Sequence, residues 1–140
     1  MTVIPIHKEI ISVPAVLDNL AEIRNFVRCG ALNAGIESEK RINSCMLAVD
    51  ESCTNLMRHS LHPIDLITIT SMSDNNVFEL DISDSGKPFN PLFYQTPDLN
   101  QYMKHFCKGG LGIFIIRKLT DEIEYFSDNG INTLKLIWKI

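Results

Sequence analysis

The sequence predicts an α+β fold, a two-layer sandwich in which a mixed or antiparallel sheet is covered on one face by helices. Two observations lead to this prediction. The elements read from the sequence follow the order β, α, α, β, β, lid, α, β, β, so that hairpins alternate with grouped helices. The two strand pairs are joined across Asp74-Asn75-Asn76 and Asp128-Asn129-Gly130, links so short that each pair has to be antiparallel.

Length and composition limit the class of protein. A chain of 140 residues with 45% hydrophobic residues suits a single domain, 1–140, with a core of its own. No apolar run approaches the roughly 20 residues of a membrane span, and the N-terminus lacks the basic start of a signal peptide, so we expect a cytoplasmic protein without membrane contact. The net charge of −4, without long charged runs, argues against nucleic acid as a partner.

The elements are assigned from hydrophobic periodicity, turn residues and prolines. The first half of the chain has a strand over 8–13, a helix from Pro14 that ends near 30–35, and a second helix that is capped by Ser38 and runs to His62 before Pro63. Two strands follow, over 64–71 and 77–82. The second half has a lid over 84–108 with a short helical turn at 99–104, a helix that begins at 109–112, and strands over 122–126 and 133–140.

The second helix has two different faces. One carries an apolar stripe with the period of a core-facing surface: Ile42, Cys45, Met46, Val49, Cys53, Leu56 and Met57. The other carries Ser44, Ala48, Glu51, Asn55, Arg58 and His59. Glu51 and Asn55 are one helical turn apart and can reach one ligand. A solvated face with chance spacing explains the same pattern.

Two further segments carry candidate chemistry. Gly109 to Gly112 precede a helix, where bare backbone N–H groups at the positive end of its dipole can hold phosphate, although glycines also simply begin helices. Asp84 follows an apolar strand and Gly86 comes two residues later. This pair suits an adenine amino group beside a close backbone, and it also suits a plain turn. The P-loop and Rossmann patterns are both missing from the sequence.

Cysteine and histidine usage indicates no metal centre. The four cysteines, Cys29, Cys45, Cys53 and Cys107, form no CxxC pair and are interpreted as reduced thiols. His59 and His62 could suggest a zinc site, but they have no Cys or acid cluster beside them. A metalloenzyme is therefore the disfavoured third class of function.

Taken together and in this order, the segments resemble the ATP-binding domain of the GHKL superfamily, or Bergerat fold, shared by gyrase, the histidine kinases and the MutL proteins. The resemblance is closest to the RsbW-like anti-sigma-factor serine/threonine-protein kinases. Residues 47–59 resemble their N box and residues 84–89 their first glycine box. Residues 109–112, with 116–119 and 121–122, resemble their second glycine box.

The resemblance implies ATP and magnesium as cofactors and a role for each matching residue. It implies Glu51 as the general base, Asn55 as the magnesium ligand, Asp84 as the reader of adenine, Gly86 as the residue that allows its approach, Gly109, Gly110 and Gly112 as the phosphate cradle, Thr133 as support for the adenine contact, and Lys104 and Lys108 as lid cations.

For the whole chain, the resemblance implies a serine/threonine-protein kinase that phosphorylates an STAS-domain anti-anti-sigma protein and sequesters a sigma factor or a similar target. It also suggests a homodimer, with the helix from Pro14 to Val27 as its surface, although a core-facing stripe explains the same apolar residues. The alternative is a non-catalytic nucleotide-binding module, which has no need of Glu51 as a base. The sequence departs from the family pattern at Asn90, where an aspartate is expected, and at 104–107, which lacks an arginine.

Overall fold

The structure, a computed structural model, describes residues 5–59, 64–88 and 110–140. Its elements are β1 (His7–Pro14), a short 3-10 helix (Leu17–Asn19), α1 (Leu20–Asn33), α2 (Glu39–His59), β2 (Leu66–Ser73), β3 (Val77–Asp84), α3 (Gly110–Leu119), β4 (Glu122–Asp128) and β5 (Ile131–Lys139). The element order agrees with the prediction. Most of the predicted lid, including its short helical turn, lies outside the described residues.

The five strands form one sheet in the order β1-β2-β3-β5-β4, and every neighbouring pair is antiparallel. The last strand, β5, is inserted between β3 and β4. The hydrophobic side chains that alternate along β3, Phe78, Leu80 and Ile82, are buried in one core with residues of the helices. The predicted α+β sandwich is therefore confirmed, with an antiparallel sheet.

The apolar stripe of α2 is confirmed as a core surface, since Ile42, Cys45, Val49 and Cys53 are fully buried. Ala48, which was predicted on the polar face, is also fully buried, and that part of the prediction is wrong. The reason is that α2 packs against α1 and α3 as well as the sheet. A helix with neighbours on several sides buries a wider arc than one apolar stripe.

The first helix begins later than predicted. Pro14 is the last residue of β1, paired with Leu66, and Ala15 N–H still donates to the carbonyl of Asp65 at 3.0 Å. The side chain of Asn19 then donates to the carbonyl of Pro14 at 2.8 Å, just before α1 starts. Proline is compatible with this place because β1 is an edge strand, where a missing N–H costs no ladder bond.

The end of α1 and the start of α2 both agree with the prediction, since α1 ends within residues 30–35 and Ser38 caps α2. Gly30 lies inside α1, not at its end, and a Cβ built there would be 2.3 Å from Ser71 Oγ. The helix ends at Asn33, and Gly35 follows with a φ of +91°, a conformation that favours glycine. Ser38 caps α2 as predicted, because its Oγ accepts the N–H of Arg41 at 3.3 Å.

The cysteines that the structure describes are free thiols. Burial raises the pKa of Cys45 and that of Cys53 to about 12, so both are protonated and unreactive at neutral pH. Cys29 is exposed, and Cys107 lies outside the described residues. None of the helices in the described ranges is long and apolar enough to cross a membrane.

Candidate functional site

The helix α2 carries Glu51 and Asn55, both of which are half-buried. Its partners include α3, the helix that follows the glycine segment, and β3, the strand that ends at Asp84. The helix that bears the first predicted segment is therefore in contact with the elements that bear the other two. This arrangement is what a shared ligand site requires.

The rotation of α2 about its axis is fixed next to Glu51. Arg24 of α1 holds Asp50 with two hydrogen bonds, from Nε to Oδ1 at 2.9 Å and from Nη2 to Oδ2 at 2.7 Å. Such a bidentate pair constrains both side chains more than a single contact does. Two residues after Asp50, buried Ser52 donates to the carbonyl of Ala48 at 2.8 Å. The pair with Arg24 joins two helices and helps to determine the direction in which Glu51 leaves α2, whereas the Ser52 bond lies within α2.

Asp84 ends β3 with its carboxylate held by backbone and side-chain donors. It is 8% exposed. Its Oδ1 accepts the backbone N–H of Gly86 at 2.8 Å and Nδ2 of Asn132 at 3.1 Å. Both contacts use the same oxygen, which favours a defined plane for the carboxylate. A carboxylate fixed in this way can accept an N–H from a ligand through Oδ2.

Gly86 lies where a side chain would crowd Asp84. A Cβ built on Gly86 would be 3.1 Å from Asp84 Oδ1 and 3.0 Å from Ile64 Cγ1. These separations are tighter than ordinary van der Waals contact. Glycine is therefore suited to the close packing around the Asp84 carboxylate, and its role in allowing adenine to approach stays a prediction.

Asn132 is a residue of this site that the sequence reasoning missed. It is 2% exposed, lies on β5 directly opposite Asp84, and also donates from Nδ2 to the carbonyl of Gly86 at 2.8 Å. Its Oδ1 accepts the hydroxyl of Ser127 at 2.7 Å. The available signal was the Asn129-Gly130 hairpin, which places Asn132 opposite Ser127. The pairing of β5 with β3 has no such local signal.

Thr133 is placed differently from the predicted adenine contact. Its hydroxyl lies 3.0 Å from Oγ of Ser83, the residue to which it is paired. Successive residues of a strand face opposite sides of the sheet, so Thr133 is on the side away from Asn132 and Asp84. The described contacts to Asp84 come from Gly86 and Asn132 instead.

The glycine segment is described in part. Gly110 and Gly112 belong to the first turn of α3, where the first backbone N–H groups of a helix have no partner within it. Lys104, Lys108 and Gly109 lie outside the described residues, as do Asn90 and His62. The side chain of His59 is not described either. The possible zinc site at His59 and His62 is therefore not tested by the structure.

The donor set on α2 fits magnesium better than a metal held wholly by protein. Within the described ranges, no group of three or more His, Cys, Asp and Glu side chains is placed to hold a metal ion. Magnesium is commonly bound by one or two protein oxygens together with water and substrate phosphates. Asn55, one turn from Glu51 and half-buried, offers one such amide oxygen.

Comparisons with known proteins agree on the type of domain. The family model of the histidine kinase-like ATPase domain matches residues 13–138. Over 127 residues, the serine-protein kinase RsbW of Bacillus mycoides is 27% identical, and the match covers 87% of this chain and 79% of that protein. The serine-protein kinase RsbW of Bacillus cereus is 28% identical over the same length and with the same coverage.

A solved structure shares the fold. The crystal structure of the RsbU and RsbW domains of Rv1364c from Mycobacterium tuberculosis superimposes with a TM-score of 0.63 at 15% identity. The superposition covers 96% of this chain and 32% of the other, so this chain spans about a third of that larger protein. At this identity the likeness shows the fold alone.

Proposed function

The chain belongs to the histidine kinase-like ATPase family, and from that premise we propose that it is an ATP-dependent and magnesium-dependent serine/threonine-protein kinase. One observation carries the proposal. In a domain of an ATPase family, a buried carboxylate at the end of β3 is held in place by Gly86 and Asn132. An ionised carboxylate with one oxygen committed to two N–H donors suits the exocyclic amine of adenine.

The proposed chemistry is phosphoryl transfer, in which positioning and charge stabilisation do most of the work. Asn55 would hold a magnesium ion, which would neutralise phosphate charge, and Gly110 and Gly112 would offer backbone N–H groups at the start of α3, with Gly109 proposed to join them. Glu51 accepts the proton of the attacking hydroxyl. Lys104 and Lys108 of the lid are proposed to face the phosphates.

The proposed substrate is a serine or threonine of a small STAS-domain anti-anti-sigma protein. The same domain is proposed to sequester a sigma factor or similar target, and to do so as a homodimer. The support for these partners comes from the relatives named serine-protein kinase RsbW, at 27% and 28% identity. The second candidate is a module that binds nucleotide without transferring phosphate. It is disfavoured because it needs no general base, so Glu51 beside Asn55 would have no chemical role.

The test is phosphate transfer between purified proteins. The chain is incubated with magnesium and ATP and with each STAS-domain protein of its own organism, and phosphoserine and phosphothreonine are located by mass spectrometry. We expect one STAS-domain protein to be modified at a single residue and to lose its affinity for the chain. Tight ATP binding without transfer to any of them contradicts the kinase and supports the binding module.

A further inference from the structure

We propose that Asn132, held by Ser127, sets the base specificity of the nucleotide site by keeping Asp84 oriented as an acceptor for the amino group of adenine. Asn132 would act as a positioning residue, since it acts on the nucleotide through Asp84. The inference deepens the proposed function and rests on it, because it concerns the same site.

The three residues form one row across the sheet. Asp84 of β3 is paired with Asn132 of β5, and Asn132 is paired on its other side with Ser127 of β4. Residues that are directly opposite on antiparallel strands project from the same face. Asn132 is two positions before Leu134, a core residue, so the row lies on the face that carries the core.

The amide of Asn132 has one orientation that satisfies all its neighbours. Its Nδ2 donates to Oδ1 of Asp84 at 3.1 Å and to the carbonyl of Gly86 at 2.8 Å. Both of these atoms are acceptors only, so a reversed amide would bring oxygen against oxygen twice. On the other side, its Oδ1 accepts the hydroxyl of Ser127 at 2.7 Å. Asp84 and Gly86 therefore determine the orientation of the amide, and Ser127 supports it by donating to Oδ1, since a hydroxyl can donate or accept.

Burial makes the arrangement costly to change. Asn132 is 2% exposed, so water cannot readily replace a partner that turns away. A buried polar group left without its partner costs roughly 1 to 3 kcal/mol. The amide also links Asp84 to the carbonyl of Gly86, which keeps the segment after β3 close to the carboxylate.

The consequence is a preference between purines. A 6-aminopurine presents N–H donors where a 6-oxopurine presents an oxygen. A carboxylate held with Oδ1 committed to N–H donors offers an acceptor to the ligand, so it attracts the amine and repels the oxygen. ATP should therefore bind more tightly than ITP, and the difference should depend on how firmly Asp84 is held.

Calorimetry with ATP and with ITP tests the inference on the full chain. Asn132→Asp keeps the shape of the side chain but replaces the donor by an acceptor, and we expect it to reduce the ratio of ATP to ITP affinity at least tenfold. Ser127→Ala removes the hydrogen bond that supports Asn132 without touching Asp84, and we expect a smaller reduction, about threefold. Ser127 is exposed, so this variant keeps the fold even if Asn132→Asp does not. Asn75→Ala, in an exposed turn, is the control and should keep the wild-type ratio.

The outcomes separate this inference from the proposed function. A loss of stability with equal weakening of both nucleotides would mean that Asn132 is only a structural residue, and the inference would be overturned. Wild-type ratios in both variants would also overturn it while leaving ATP binding intact. If the wild-type chain binds neither nucleotide, the proposed function fails first and this inference fails with it.

Discussion

The backbone N–H of Gly86 donates to Oδ1 of Asp84 at 2.8 Å, and a Cβ on that glycine would lie 3.1 Å from the same oxygen. Because residue 86 is a glycine, its backbone N–H reaches this oxygen without a side chain crowding the carboxylate. Asn132 donates to this oxygen from the neighbouring strand. The carboxylate is therefore oriented from two directions, which makes Asp84 the best-defined residue of the candidate site.

Asp84→Asn should weaken ATP binding by tenfold to a hundredfold. Two N–H donors require an acceptor where Oδ1 now lies, so the introduced amide has to direct its NH₂ group toward the ligand. Two donors would then oppose each other at the adenine amine, and loss of a hydrogen bond to a charged group costs about 1.5 to 3 kcal/mol. Calorimetry measures the change, with Asp128→Asn, at an exposed hairpin end, as the control. Equal affinities for the wild type and Asp84→Asn would remove Asp84 from the adenine site.

Asn55→Ala should abolish the magnesium dependence of ATP affinity. We expect the wild type to bind ATP more tightly with magnesium than with a chelator, because Asn55 is proposed to hold the metal that would neutralise the phosphates. In the variant the two affinities should converge. Asn55→Asp, which retains a hard oxygen ligand, should restore part of the difference. Asn43→Ala, on an exposed position of the same helix, is the matched control. A full magnesium effect in Asn55→Ala would contradict the assignment.

Gly30→Ala should lower the free energy of unfolding by about 1 to 3 kcal/mol, the usual cost of overpacking. Alanine is the better helix former, by roughly 1 kcal/mol, but its Cβ would meet Ser71 Oγ at 2.3 Å and Ser71 Cβ at 3.3 Å. Urea denaturation measures the effect. Adding Ser71→Gly should recover part of the loss, since it removes both atoms. A Gly30→Ala variant more stable than the wild type would show that the contact relaxes freely.

Glu79→Gln should reduce the fall in the free energy of unfolding that occurs as pH rises from ~5 to ~8. Burial raises the pKa of Glu79 to about 7, with Asp81 raising it further and Lys135, whose Nζ is 3.8 Å from Oε2, opposing the rise. The pKa of Glu79 is higher in the folded protein than in the unfolded chain, so the folded protein holds a proton on Glu79 that the unfolded chain has already lost. The free energy of unfolding therefore falls as pH rises from ~5 to ~8. The variant carries no charge there at any pH.

The measurement is urea denaturation of the wild type and of Glu79→Gln at pH ~5 and pH ~8. The variant should gain on the order of 1 kcal/mol relative to the wild type at the higher pH. The neighbouring charges, Glu124 and Lys8, are present in both proteins. Glu122→Gln, at the exposed ion pair with Lys139, should show little change. If the variant gained more stability relative to the wild type at pH ~5 than at pH ~8, the pH dependence would have the opposite sign and would contradict the interpretation.

Local patterns were sufficient for much of this molecule. The apolar stripe of α2, its Ser38 cap and the hairpin across Asn129-Gly130 are each set by neighbours in the chain, and each was predicted. Asn129 and Gly130 have φ values of 53° and 79°, the left-handed pair that such a turn requires.

Features that depend on tertiary contacts were missed. Pro14 was placed in a helix because the pairing of β1 with β2, which are far apart in sequence, is not visible locally. Ala48 was placed on the polar face because the sequence does not show that α3 packs against α2. Asn132 was missed for the same reason, since its place beside Asp84 depends on the register between β3 and β5.

The central claim is tested most directly by comparing Glu51→Gln with the wild type in phosphate transfer to the cognate STAS-domain protein under single-turnover conditions, with ATP affinity measured in parallel. The account predicts unchanged ATP affinity and a transfer rate reduced by a factor of about 100 or more, as removal of a general base does. Glu39→Gln, at an exposed acid in the first turn of the same helix, is the control and should transfer at nearly the wild-type rate. Transfer by Glu51→Gln at the wild-type rate would contradict the account.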